Sequence, residues 1–428
     1  MIKRPFFGLS TPELRSPVVE SRGQDTIEEI PLPRKVTLFL KQTDVRKEDL
    51  ILKAGDEVKT GQKLRLMEEN ESYLISTVTG TITGISQHTG YLGRTYPTIS
   101  IDVTEEDQWS REFNGAGKKS LPETTFKFLS HLPGAPDFGA LLNVQPSLNT
   151  IIITGIDKDL LVAINQLIVK TEIESLKEGI EYLKKITPGS RIIIVVPSDL
   201  RSQVEKSGAE VKVIKAFYPD TLPRMIMKNV LGKVTPPGKN CEDMGVGFIN
   251  AEAVVALASA FTRGEIPINK ILTVVNKDGA SVNVRVRIGT HVRDILSALR
   301  IETHQGDRLI LGGPMTGHAV YSEDTPVLSD TDAILVQDKE QIVWNSDSSC
   351  INCGECIRVC PAKIPVNMLV RLLENGLYEE AAEEYDLLYC IECGLCSYVC
   401  VARIPVFHYI MLGKYELDRA KVAEESNA

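Results

Sequence analysis

No stretch of this 428-residue chain approaches the ~20 uninterrupted apolar residues that a membrane-crossing helix needs. The best candidate, 247–261, is shorter and carries Glu252, so a buried helix over Gly247–Phe261 is expected instead. No long basic run exists and the formal net charge is −9, which argues against a nucleic-acid partner. The opening residues Met1–Pro12 include Lys3 and Arg4, but Pro5 and polar residues interrupt any apolar core. A signal peptide is therefore not expected. Cysteine is almost missing from most of the chain: eight of nine lie between Cys350 and Cys400, leaving Cys241 alone. A disulfide framework belongs to small secreted chains. Reduced, metal-binding thiols in the cytoplasm are the expectation, with Cys241 a plain buried thiol.

What is present is ordinary globular material, 43% hydrophobic and 25% charged, enough for two to four domains at roughly 100–200 residues each. The chemistry sits in two runs. Cys350, Cys353, Cys356 and Cys360 follow C-x₂-C-x₂-C-x₃-C, and Cys390, Cys393, Cys396 and Cys400 repeat it. That is the bacterial ferredoxin spacing; Pro361 supplies the trailing proline of the first run, while Val401 replaces it in the second. The repeat continues past the thiols, with Ala362–Val366 echoed by Ala402–Val406, so one cluster-binding unit is duplicated.

In a two-cluster ferredoxin the fourth cysteine of each run serves the other cluster. Cys350, Cys353, Cys356 and Cys400 are therefore assigned to one [4Fe–4S] cluster, and Cys390, Cys393, Cys396 and Cys360 to the other. Each fourth cysteine is expected to start a helix leading away. Gly354 and Gly394 are placed where the backbone must approach the inorganic core. Structural zinc takes cysteines as separated pairs, which triple C-x₂-C-x₂-C runs do not offer. Met368, Leu369, Leu372 and Leu373 recur at helical spacing up to a stop at Asn375–Gly376, and a second helix is expected over Tyr378–Leu388. Tyr378, Tyr385 and Tyr389 are read as packing residues, and the charged tail after Asp418 as frayed.

Upstream, Ile30–Val103 alternates in short β-like segments punctuated by Gly55–Asp56, Thr60–Gly61 and Thr79–Gly80. Ile51–Gln62 and Ser76–Ile82 resemble the two halves of a biotinyl/lipoyl-like barrel. The hairpin between them, Glu68–Tyr73, has no lysine to modify, so a docking module is expected in place of a swinging arm. Thr150–Phe261 alternates β-rich runs (Ile151–Gly155, Arg191–Val196) with helical ones (Leu160–Leu183, Ala251–Phe261), the pattern of a mainly parallel α/β core. Ile271–Arg287 alternates again before a helix begun in Gly289–Leu296, a β-grasp-like insert.

In this order the parts resemble the C subunit of Rnf electron-transport complexes and related flavin and iron–sulfur proteins. The specific matches are Glu29–Pro33, Val284–Thr290, Gly312–Gly317 and both cysteine runs. The resemblance implies a multidomain α/β-plus-β chain in four parts. They are a biotinyl/lipoyl-like barrel (1–105), a Rossmann-like α/β core (106–265), an SLBB-like β-grasp (266–335) and an α-helical two-[4Fe–4S] ferredoxin module (336–428).

The family binds FMN and oxidises NADH on its α/β core, cradling the flavin phosphate in a loop of the form G-x-G-G-A-x-F-P. Here that loop falls on Leu132–Phe138, where Pro133 and Pro136 remove donors and Asp137 adds negative charge. The next family signature, N-G-A-E-x-E-P, falls on Thr154–Leu160. Only Gly155 matches outright, with Asp157 and Asp159 keeping the acidic character. Asn114–Lys119 is glycine-containing but lies upstream and reads as a solvated loop. FMN is therefore not expected as a cofactor, and no catalytic or flavin-contacting residue is assigned.

The leading expectation is an iron–sulfur electron-transfer subunit of a multi-subunit oxidoreductase. It would take electrons from a flavoprotein or ferredoxin and deliver them to a membrane or soluble acceptor subunit. Any attachment to the inner face of the membrane would come through partners. Two alternatives stand beside it: an FMN-dependent NADH dehydrogenase subunit, and a scaffold whose clusters are structural.

Overall fold

The computed structural model describes residues 14–15, 26–40, 50–67, 73–90, 93, 95–113, 121–135, 137–144 and 147–427. The lysine-free hairpin tip at 68–72 and the glycine-containing stretch at 114–119 lie outside the described residues.

The N-terminal region is all β. Strands Lys35–Phe39, Thr95–Val103, Gly80–Thr89 and Glu57–Val58 form an antiparallel sheet in that order, beside a hairpin of Lys63–Arg65 and Tyr73–Ile75. Alternate side chains point inward, as the two-residue period of a strand requires. Val36, Leu38, Val58, Leu64, Ile82, Ile99 and Ile101 make one closed core. Glycine is obligatory at Gly80, where a Cβ would stand 2.1 Å from the carbonyl oxygen of Asp102.

The second layer is a four-stranded parallel sheet, ordered Glu210–Val213, Arg191–Val196, Thr150–Thr154, Val246–Asn250. Its strands are continuous apolar runs because both faces are covered. Ile151, Ile153, Ile192, Ile194 and Val196 face one core with helices Ile164–Thr171, Ile173–Ile186 and Ala251–Arg263. Ile152, Ile193 and Val195 face a second core with Ile226, Met227 and Cys241. Each fully buried isoleucine contributes roughly 1.5–3 kcal/mol. Cys241 is thus the inert buried thiol expected, and burial pushes its pKa up.

Two helical expectations change here. Residues 246–250 are a strand, and the helix begins only at Ala251, where Asn250 Oδ1 accepts the N–H of Ala253 at 2.9 Å. The single helix expected over Leu160–Leu183 is two, and its start is set from a distance. The buried carboxylate of Asp157 accepts the backbone N–H groups of Asn165 and Gln166, capping the first helix at Ile164.

A third, six-stranded mixed sheet is ordered His318–Val320, Arg308–Leu311, Ala333–Gln337, Asn269–Val275, Ser281–Arg287, Ile27–Glu29. Helix Val292–Ala298 packs on it through Val292, Ile295 and Leu296. The motif residues of Glu29–Pro33 and Val284–Thr290 are neighbours: Arg285 pairs with Glu29 at 2.5 Å and its carbonyl accepts the N–H of Ile30. The fully buried Lys270 on this sheet binds Glu252 of the α/β core at 2.5 Å and Asp332 at 3.3 Å, and Asp332 also meets Lys158.

The C-terminal region is helical. Helix Val366–Glu374 stops at Asn375 and Gly376 as expected, Gly376 taking φ +71°. The helix from Tyr378 ends at Glu383, short of Leu388, because Asp386 turns to φ +59° and opens a 3₁₀ turn at Leu387–Tyr389. Tyr378 and Tyr385 pack on the local core. The tail is not frayed: helix Val406–Asn427 runs 22 residues, its Gly413 pressed against Leu373, Tyr378 and Leu387.

Candidate metal centre and its supports

The two cysteine runs fold alike, dihedral for dihedral. Asn352 and Glu392 both sit at positive φ (+55° and +59°), as do Gly354 and Gly394 (+75° and +69°) and Lys363 and Arg403 (+58° and +57°). Each glycine opens a short helix, Glu355–Val359 or Leu395–Val399. Arg358 N–H bonds to Gly354 O and Tyr398 N–H to Gly394 O, both at 3.1 Å. Lys363 N–H bonds to Cys360 O and Arg403 N–H to Cys400 O, both at 3.2 Å. Val401 in place of proline leaves the preceding turn nearly unchanged: Cys400 takes φ −65° and ψ 110°, beside −64° and 119° at Cys360.

The fourth cysteine does not start a helix. Cys360 and Cys400 instead close the C-terminal ends of the short helices, and the next helices begin only at Val366 and Val406. The reason is the left-handed residue at Lys363 or Arg403, which reverses the chain first. The two short helices pack against each other, which carries each fourth cysteine across to the other run.

Cys350, Cys353, Cys356 and Cys400 line one recess with Asn367, Val370 and Ile404. Cys360 stands beside Cys390, Cys393 and Cys396, close enough to perturb all three. The quartets differ in exposure. Cys353 is exposed and Cys350, Cys356 and Cys400 half-buried, whereas all four of the second set are buried.

Burial pushes the thiols upward, Cys356 to about 11 and Cys393 to about 12, with Cys390 and Cys396 also raised. Backbone N–H groups of Ile357, Leu395 and Ser397 oppose that by hydrogen-bonding Cys356, Cys393 and Cys396, and Glu392 N–H reaches Cys390 Sγ at 3.4 Å. Four soft sulfur donors with N–H groups aimed at them, in an apolar setting, fit an anionic iron–sulfur group, whose positive iron lets the thiols ionise.

Sequence reasoning missed the groups that seat the second run. Tyr218 Oη donates to the carbonyl of Cys393 at 2.6 Å. Arg224 Nη1 and Lys414 Nζ both donate to the carbonyl of Cys390, at 3.1 and 2.8 Å, and Lys414 pairs with Glu392 at 2.6 Å. Gly394 abuts Met315 of the Gly312–Gly317 motif. That loop is held in turn by Asp159, whose carboxylate accepts Leu160, Met315 and Thr316 N–H and the Thr316 hydroxyl. A tyrosine 175 residues from its partner leaves no local signal.

The stretch matched to the flavin-phosphate loop has four of its five backbone N–H groups committed. Leu132 N–H bonds to Ala135 O, Gly134 N–H to Ser329 O, Ala135 N–H to Leu132 O and Phe138 N–H to Ala135 O. Asp157 and Asp159 are both buried and saturated by protein donors.

Residues 18–106 match the RnfC barrel sandwich hybrid domain, and residues 342–401, which contain both cysteine runs, match the 4Fe-4S dicluster domain. Over most of its length the chain resembles the RnfC family, at about 25% identity. This RnfC-like chain is a mixed α/β multidomain protein with a barrel-sandwich hybrid near its N-terminus. Two [4Fe–4S] clusters are its cofactors. It is 26% identical over 389 residues to the C subunit of the proton-translocating ferredoxin:NAD(+) oxidoreductase complex of Clostridium ljungdahlii, covering 85% of this chain and 83% of that one. It is 25% identical over 400 residues to the C subunit of the ion-translocating oxidoreductase complex of Pectobacterium carotovorum, spanning 88% of this chain but 53% of that one. The protein of the same description from Rhodobacter capsulatus is 26% identical over 382 residues, 83% of this chain and 73% of that one. Among the described residues, no helix of the RnfC-like chain is long and apolar enough to cross a membrane.

Proposed function

We propose that this chain is the C-type subunit of an ion-translocating ferredoxin:NAD-type oxidoreductase complex, where it serves in iron–sulfur electron transfer. The observation that carries the reading is the crossed arrangement of the two cysteine runs, Cys400 in the recess of the first and Cys360 beside the second. Cys350, Cys353, Cys356 and Cys400 would hold one cluster, and Cys390, Cys393, Cys396 and Cys360 the other. When bound, such a group accepts and returns one electron at a time. The chain's own part is to fix the thiols, aim N–H groups at sulfur and exclude water from the second quartet.

The four-part division at 105, 265 and 335 is retained as a working map. The parallel sheet's order supports a Rossmann-like core, since the connections change direction between Thr150–Thr154 and Val246–Asn250. The hairpin-plus-helix sheet supports a β-grasp of the SLBB kind. We infer that the family's flavin site is not functional here, because the loop that would cradle the phosphate spends four of its five backbone N–H groups on the protein itself. Electrons would then come from a partner flavoprotein or ferredoxin and leave to another redox protein of the complex. The chain would work in the cytoplasm, held at the membrane's inner face by its partners.

The test is a combined iron, sulfide and flavin assay on anaerobically isolated protein. About eight irons and eight sulfides per chain with negligible FMN is the expected result from two cubanes. Stoichiometric flavin with NADH-driven bleaching would overturn the flavin part; iron for a single cubane, or zinc alone, would overturn the whole.

A further inference from the structure

The duplication that makes the two cysteine runs alike in backbone does not make them alike in charge. Shifting by 40 positions, from Cys350 to Cys390, aligns Lys414 with Glu374 and Glu392 with Asn352. A cation thus occupies the second half where the first has an acid. Lys414 is largely buried, its side chain 14% exposed, and its ammonium sits 2.8 Å from the carbonyl of Cys390. Arg224, brought in from the α/β core, donates to the same oxygen at 3.1 Å. Two cations therefore converge on one ligand residue, in a place where all four thiols are buried.

Resting on the cluster reading above, we infer that Lys414, with Arg224, raises the reduction potential of the buried cluster. The physical ground is simple. Adding an electron to a group already negative is disfavoured by burial, since the extra charge is poorly solvated. A fixed positive charge in the same low-dielectric surroundings opposes that penalty, because it stabilises the reduced form more than the oxidised one. Glu392 pulls the other way: it pairs with Lys414 at 2.6 Å, but its side chain is 42% exposed, so water screens it more than it screens the lysine. The pair is graded, with the cation inside and the anion outside. Lys414 and Arg224 are positioning and tuning residues; neither need be a ligand.

The sign of each effect gives a test that a merely structural role would not reproduce. Full-length protein with reconstituted clusters is titrated potentiometrically and followed by low-temperature EPR, which resolves the two midpoints. Lys414→Gln and Arg224→Gln are each expected to lower one midpoint, and Glu392→Gln to raise that same one, with the other midpoint unmoved. Lys414→Arg, which keeps the charge, restores the wild-type value. Loss of both cubane signals in the wild type would sink the cluster reading itself. Two intact signals whose midpoints ignore all three neutralising variants, or move in one direction for both Lys414→Gln and Glu392→Gln, would overturn this inference alone.

Discussion

Gly394 lies so close to Met315 that a Cβ on it would stand 2.6 Å from the methionine's carbonyl oxygen. Its duplicate, Gly354, has the same left-handed backbone but, its own chain neighbours aside, no atom of the described residues within 4 Å of that position. An alanine at either site meets the left-handed penalty of about 1–2 kcal/mol. At Gly394 it also collides with backbone that Asp159 holds in place. Gly394→Ala is expected to lower the unfolding temperature of the cluster-loaded protein clearly more than Gly354→Ala. Equal shifts in differential scanning calorimetry would contradict the docking role of the Gly312–Gly317 loop.

Exposure separates the two quartets, and it should separate their chemistry. Cys353→Ala is expected to halve iron and sulfide content while circular dichroism of the remainder is kept. In the unmodified protein, chelator and air should strip iron in two phases, the first carrying half of it. A single phase, or full iron in the variant, would count against the assigned quartets.

Lys270 joins two layers of the fold through Glu252 and Asp332, with no exposed surface of its own. Lys270→Met leaves two buried acids short of a partner and is expected to cost about 3–5 kcal/mol in denaturant unfolding. Because a buried pair can often be replaced by apolar groups at little cost, Lys270→Met with Glu252→Leu should recover much of the loss. Simple additivity of the two single variants would refute that coupling.

Asp307 offers a pH test. Its carboxylate is held down to about 2, first by the hydrogen bond from Lys277 and then by the N–H groups of His304 and Lys339. A carboxyl whose folded value lies below its unfolded value of about 3.9 stabilises the fold above the latter and loses that stabilisation as pH falls toward the former. The stability gap between wild type and Asp307→Asn should therefore be constant from neutrality to about pH 5 and shrink as the solution is acidified toward pH 2. A gap that persists unchanged at pH 2 would show that the charge is not what the site contributes.

The cysteine duplication, the apolar strands Thr150–Thr154 and Arg191–Val196 and the stop at Asn375–Gly376 were legible because each depends on residues next to one another. What escaped notice was set at long range. The helix start at Ile164 is fixed by Asp157, and strand 246–250 reads as helix until its pairing with Thr150–Thr154 is seen. The seats of the second cysteine run, Tyr218 and Arg224, come from another layer of the fold altogether. Composition marks such residues as ordinary, and only the folded chain gives them a task.

In the proposed assignment each quartet borrows its last thiol from the other copy of the repeat. Neither half can then be filled while it is alone, and on the ribosome the first site stays open until residue 400 has emerged. A chain cut anywhere between the two runs would consequently lose not one metal centre but both.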